Sequence, residues 1–117
     1  MTMTGNGPGD AIELDTSNSN TINITGNIST VGDSAHGIGL DTSDSNTISM
    51  TGDISTTGNV ADGLNVTGSD SNDLTMTGNI STKGSTAWGI NITYTGSNGS
   101  ESNNVTMTGN ITTEGTN

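Results

Sequence analysis

The chain has no cysteine and no phenylalanine, and its only basic residue is Lys83; proline, tryptophan and tyrosine occur once each. Without cysteine no disulfide framework can hold the fold, and thiol usage says nothing about the redox compartment. With one cation against twelve carboxylates the net charge is −11. That balance excludes nucleic acid and anionic membrane as partners, because phosphate binding needs clustered Lys and Arg. Hydrophobic residues make up 26% and aromatics 2% of the 117 residues, too few for the core of a compact globule. No apolar run approaches the ~20 residues of a membrane span, and no secretory leader is recognisable.

What the chain has instead is Thr, Ser, Asn and Gly, well over half of all positions, arranged in a repeat. Thr25-Gly26-Asn27-Ile28-Ser29-Thr30 returns at Thr51, at Thr77 and, as Thr-Gly-Asn-Ile-Thr-Thr, at Thr108. The first three copies lie 26 residues apart and the fourth follows after 31. A fixed period in the twenties, built from short apolar alternations, points to stacked units. Disorder would suit the composition alone. A solenoid, however, needs only a thin apolar row per coil, because each coil covers the next.

Within one coil, Thr21-Ile22-Asn23-Ile24-Thr25 alternates with period two, as a half-buried strand does. The phase continues to Thr30, so Ile22, Ile24 and Ile28 point inward and Thr21, Asn23, Thr25, Asn27 and Ser29 outward. Gly26 takes an inward slot where a missing side chain permits a bend. Val31-Gly32-Asp33-Ser34 reads as a turn. Ala35, Ile38, Leu40 and Thr42 form a second inward run, and Ser43-Asp44-Ser45-Asn46 a second turn. The stacking core is then Ile24, Met50, Met76 and Met107 in one row and Ile28, Ile54, Ile80 and Ile111 in another. Helix is disfavoured by the β-branched residues, Asn, Ser and Gly. The expected fold is all-β: a parallel β-solenoid spanning 1–117, with roughly four and a half coils stacked ~4.8 Å apart. The coils run 1–19, 20–45, 46–71, 72–102 and 103–117.

Aligning Met1-Thr2-Met3-Thr4 with Leu74-Thr75-Met76-Thr77 places Met1 on a core position and makes the first coil five residues short around Gly7-Pro8-Gly9. A five-residue insertion falls near Tyr94–Ser100. On this alignment the chain starts and ends in mid-coil with no cap. Uncovered edges are templates for a further strand.

The segments Ile28–Ile38 and Ile54–Leu64 share the pattern Ile-Ser-Thr-x-Gly, a spacer, then Ala-x-Gly-Ile or Ala-x-Gly-Leu. This resembles the degenerate repeats of bacterial autotransporter passengers and filamentous haemagglutinin-like adhesins. The resemblance implies a right-handed β-helix at a cell surface or in the extracellular matrix.

Four features are candidates for function. Thr4, Thr25, Thr51, Thr77 and Thr108 form an outward column, flanked by a mixed column of Thr2, Asn23, Ser49, Thr75 and Thr106. Paired Thr columns on β-solenoids resemble ice-binding surfaces, although threonine suits outward strand positions on propensity alone. Asp15 over Asp41 and Asp44 over Asp70 stack like charges that calcium, a hard cation, could bridge. Against calcium, Asp makes turns by local hydrogen bonds. Asn-x-Ser/Thr sequons recur at Asn23, Asn27, Asn65, Asn79, Asn91, Asn98, Asn104 and Asn110, as this composition generates in any case. His36, Asp62 and Trp88 share one register position, where Trp88 either stacks on a sugar or a neighbouring fibre or covers the core beneath. No nucleophile, base and orienter come together, and the carboxylates lie in turn ladders rather than a cleft, so no enzyme and no cofactor is expected. The expected function is structural: a stiff extracellular fibre or adhesin segment whose partner is itself, end to end, with cell-surface glycans as further partners. The alternative is a ligand-binding solenoid, for ice or glycan.

Overall fold

The computed structural model describes residues 2–4, 9–93 and 102–115, with side chains from 9 onward. Within these residues the chain is strand and turn throughout, with no helix. Its strands are β1 (Thr2–Thr4), β2 (Ile12–Asp15), β3 (Thr21–Thr25), β4 (Ile28–Val31), β5 (Ile38–Asp41), β6 (Thr47–Thr51) and β7 (Ile54–Thr57). There follow β8 (Leu64–Thr67), β9 (Asp73–Thr77), β10 (Ile80–Lys83), β11 (Ile90–Thr93), β12 (Asn104–Thr108) and β13 (Ile111–Glu114). They lie in three parallel sheets, ordered β1-β4-β7-β10-β13, β11-β8-β5-β2 and β12-β9-β6-β3. Consecutive strands therefore belong to different sheets and each coil carries one strand per face, which is the parallel β-solenoid. On the β2 sheet Ile12, Ile38, Leu64 and Ile90 are in register, three turns of 26 residues. β1 extends the stack at one end, and β12 and β13 at the other.

Identical or similar residues stack because the turn length is constant. Ile24, Met50, Met76 and Met107 are paired across four coils. So are Ile28, Ile54, Ile80 and Ile111. All of these but the exposed Ile111 join Ile38, Leu40, Ile48, Leu64, Val66 and Leu74 in one continuous core. Thr30, Thr56 and Thr82 are buried as well. The first two donate their hydroxyls to the carbonyls of Ala35 and Ala61 at 2.8 and 2.6 Å.

These contacts account for the Ile-Ser-Thr-x-Gly…Ala-x-Gly pattern. Ile fills the core, Thr satisfies the carbonyl of the buried Ala, and the last Gly leaves room for the next coil. A Cβ on Gly63 would strike Ile80 Cγ2 and sit 2.6 Å from the Gly89 carbonyl oxygen. At the corner after β6, Gly52 has φ +142°, and a Cβ there would meet the Gly26 carbonyl. A left-handed residue recurs at the same place in each coil elsewhere: Thr16 and Thr42 with Gly68, then Ser19, Ser45 and Ser71, then Ser34, Val60 and Thr86.

Two expectations are corrected. β1 does not continue the β3 sheet: Thr2, Met3 and Thr4 register with Ser29, Thr30 and Val31. Thr4 therefore leaves the column of Thr25, Thr51, Thr77 and Thr108, which is otherwise in register. The reason is spacing. From Thr4 to Ile12 is eight residues and from Val31 to Ile38 seven, so the segment fills the β4 position with one residue to spare rather than lacking five. Thr42 is not inward either. It is exposed with φ +48°, and Ser43 turns in behind it, fully buried. Met1, Asn98 and the insertion at Tyr94–Ser100 lie outside the described residues.

Candidate functional site: the polar ladders and the cleft beside Gly39

In a solenoid the corners leave backbone N–H groups that no strand pairs, and each must find an acceptor. Here some of the acceptors are backbone carbonyls one coil away, such as Asp41 for Thr16 and Thr51 for Gly26, and the rest are side chains. Asn46 Oδ1 accepts both the backbone and the side-chain N–H of Asn20, at 2.8 and 3.0 Å. Asn72 Oδ1 does the same for Asn46, and Asn103 Oδ1 for Asn72. The amide nitrogens of Asn46, Asn72 and Asn103 donate in turn to the carbonyls of Ser17, Ser43 and Ser69. Asn46 and Asn72 are fully buried. A second ladder runs through Ser17, Ser43 and Ser69: the Ser43 and Ser69 hydroxyls accept the backbone N–H groups of Ser17 and Ser43, at 2.9 and 2.8 Å.

The turn carboxylates belong to the same scheme. Asp44 Oδ1 accepts the N–H of Asp70, and Asn18 Oδ1 that of Asp44. Asp33, Asn27 and Asp53 cap the N–H groups of Asn59, Asp53 and Asn79. Asp15 does lie against Asp41. Each of these two takes the hydroxyl of the following threonine, at 2.8 and 3.0 Å. Among the described residues no three His, Asp or Glu side chains converge as a metal site. Asn27, Asn79 and Asn110 occupy an exposed corner column, so their sequons sit where a side chain already serves, or neighbours, the ladder.

One column differs. Asp10, missed in the sequence although it lies 26 residues before His36, accepts the His36 N–H through Oδ1 at 2.8 Å. His36 Nδ1 accepts the Asp62 N–H at 2.9 Å, and Asp62 Oδ1 accepts the Trp88 N–H at 2.7 Å. His36 Nε2 lies 3.3 Å from the side-chain amide nitrogen of Asn65. Asp62 is buried, with Oδ2 taking an N–H of the Asn91 amide at 3.0 Å and lying 3.7 Å from His36 Nδ1. Burial pushes the Asp10 carboxyl above its usual range, against the opposing pull of the His36 N–H. Trp88 does not cover the core; it is 59% exposed.

Beside this column Glu13, Gly39, Asn65 and Asn91 stack outward on the β2 sheet. Gly39 is the one position of the four without a side chain. Asp10 Oδ2 lies over it, where a Cβ would stand. The gap opens a cleft of about 260 Å³ lined by Asp10, Glu13, His36, Asp41, Asn65 and Thr67 among others. From the sequence the carboxylates are expected in turn ladders rather than in a cleft. The fold brings three of them to one.

Comparison with protein-family models, with curated proteins and with solved structures finds no match. What the surface can do therefore follows from its geometry.

Proposed function

We propose that the chain is a structural segment of an extracellular surface fibre or adhesin, a stiff β-solenoid rod built by coil-on-coil stacking. The observation that carries this reading is the unbroken register of the core row from Ile24 to Met107 and of the Asn ladder from Asn20 to Asn103. The outermost coil presents the same rows to whatever covers it. Ile111 of β13 is 48% exposed where its in-register partners Ile54 and Ile80 are 1% exposed. One further coil of the same register, from this chain or from another copy, would bury it, and exposed strand edges favour such pairing. The exterior of Thr, Asn and Asp keeps the rod hydrated, and the net charge of −11 opposes sideways clumping. The Ile-Ser-Thr-x-Gly resemblance supports a cell-surface or matrix setting.

Electron microscopy of the 117-residue chain tests the stacking. Long unbranched filaments are expected, and Met107→Asp should shorten or abolish them by placing a charge in the core row at that edge. Filaments of unchanged length in Met107→Asp would overturn stacking through this coil.

A second reading is favoured by one observation: Thr25, Thr51, Thr77 and Thr108 are all exposed and in register on the β3 sheet. A repeating hydroxyl row of this kind suits an ordered surface such as ice. Thermal hysteresis in the parent, lost in Thr51→Tyr, would support it; none in the parent would remove it.

A further inference from the structure

We infer that the cleft beside Gly39, together with the exposed Trp88, forms a binding face for neutral or amino-bearing saccharides.

The cleft exists because a polar column loses one side chain. Glu13, Asn65 and Asn91 keep theirs, and at Gly39 the end of the Asp10 side chain lies over the backbone instead. About 260 Å³ is just below the ~300 Å³ at which drug-sized pockets begin, so it suits one small unit such as a single sugar ring. The polar groups that line it are carboxylates, an amide, hydroxyls and the His36 imidazole, with no Lys or Arg. Acceptors of this kind pair with hydroxyl and ammonium donors and repel phosphate, sulfate and uronate groups. The Asn65 amide adds a group that can donate as well as accept.

Trp88 supplies what a cation site would not use. It stands in the Asp10–His36–Asp62–Trp88 column, two coils from His36, or ~10 Å along the axis at the usual strand spacing. Two linked sugar rings span that distance. An indole exposed at the edge of a polar face offers a flat apolar surface to the C–H face of a ring. A divalent cation would engage the carboxylates but leave Trp88 without a role. The three carboxylates moreover line the cleft without converging on one point.

Trp88 is the only tryptophan, so its emission reports directly on this face. The intact chain is titrated with chitohexaose and with cellohexaose, with heparin and calcium chloride as counter-probes, and is screened on an array of neutral and amino oligosaccharides. A saturable emission change with at least one array-positive neutral or amino saccharide is expected, and none with heparin. Gly39→Asn refills the column and displaces only the end of the Asp10 side chain, and should weaken binding about tenfold or more. Glu13→Ala, at an exposed position, should weaken it without touching the core, and Trp88→Ala should do so by calorimetry. Absence of saccharide binding at ~10 mM would overturn the proposal. So would an equal response to heparin, the same change with calcium alone, or full binding by a Gly39→Asn protein with parental circular dichroism. Binding is measured on dispersed chains, so its failure leaves the rod reading standing, and failure of filaments leaves this one standing.

Discussion

The Asn46 backbone N–H and side-chain Nδ2 both reach Asn72 Oδ1, at 2.8 and 3.1 Å. One buried oxygen thus holds two donors of the coil beside it, while Asn72 Nδ2 secures the Ser43 carbonyl at 2.8 Å. Asn72→Ala would take these partners from the Asn46 backbone N–H and the Ser43 carbonyl, and leave the Asn46 amide only its bond to the Ser17 carbonyl. At about 1–3 kcal/mol per unsatisfied buried group, the loss should be about 3 kcal/mol or more in urea unfolding. Asn104→Ala, on the exposed face of β12, should stay within about 0.5 kcal/mol. Equal costs for the two would mean that the ladder contributes nothing beyond surface polarity.

Gly63 and Gly9 make a second contrasting pair. A Cβ at Gly63 collides with Ile80 and the Gly89 carbonyl, whereas at Gly9 it meets nothing within 4 Å. Gly63→Ala should destabilise by about 1–3 kcal/mol or prevent folding, as overpacking does. Gly9→Ala should be close to neutral, and thermal melts of the two variants decide the matter.

Val60 is a β-branched residue held at φ +57° and 46% exposed. The left-handed region costs an L-residue about 1–2 kcal/mol. Val60→Gly should therefore raise stability by up to about 1 kcal/mol once the extra freedom of glycine in the unfolded chain is set against the relief. A loss of stability in this variant would show that the Val60 side chain packs usefully against Ser34 and Thr86 of its column.

Asp10 predicts a pH dependence. Its folded pKa is raised above the 3.8 of the free side chain, chiefly by burial. The folded state then favours the protonated form, so the cost of ionisation is absent below that value. It grows as pH rises through the raised pKa and is complete at neutral pH. Asp10→Asn keeps an oxygen for the His36 N–H and carries no charge. Its melting temperature should exceed the parent's at pH 7 and converge with it in acid. A gap that widens toward acid would contradict the assignment.

The rod itself can be probed through Ile54 and Ile111, which share a core row but are 1% and 48% exposed. In dispersed chains Ile54→Ala should cost about 2–5 kcal/mol, and Ile111→Ala much less. Under filament-forming conditions, with a further coil over β13, the two costs should approach each other. If Ile111→Ala remains cheap in filaments, that edge is not the stacking surface.

The period of the Thr-Gly-Asn-Ile-Ser-Thr string determined the solenoid, its 26-residue turn, the parallel register and the core rows of Met50 and Ile54, because a strand's inward positions are fixed by alternation and a constant turn length aligns them. Thr30 followed from the same phase. Local pattern could not decide which face the first strand joins. Met3-Thr4-Gly5 imitates Met76-Thr77-Gly78, but its distance to Ile12 fits only the β4 position. Nor could it separate Ser43 and Asn46, buried and bonded from coil to coil, from Asp44 and Ser45 beside them. In sequence all four are turn residues, and what distinguishes them is a left-handed backbone at Thr42 and Ser45 that rotates their neighbours inward. The cleft at Gly39 was beyond the sequence for the same reason. A glycine in a strand shows that a side chain is missing; only the stacked neighbours, with Asp10 across the gap and Trp88 two coils away, give that absence a shape.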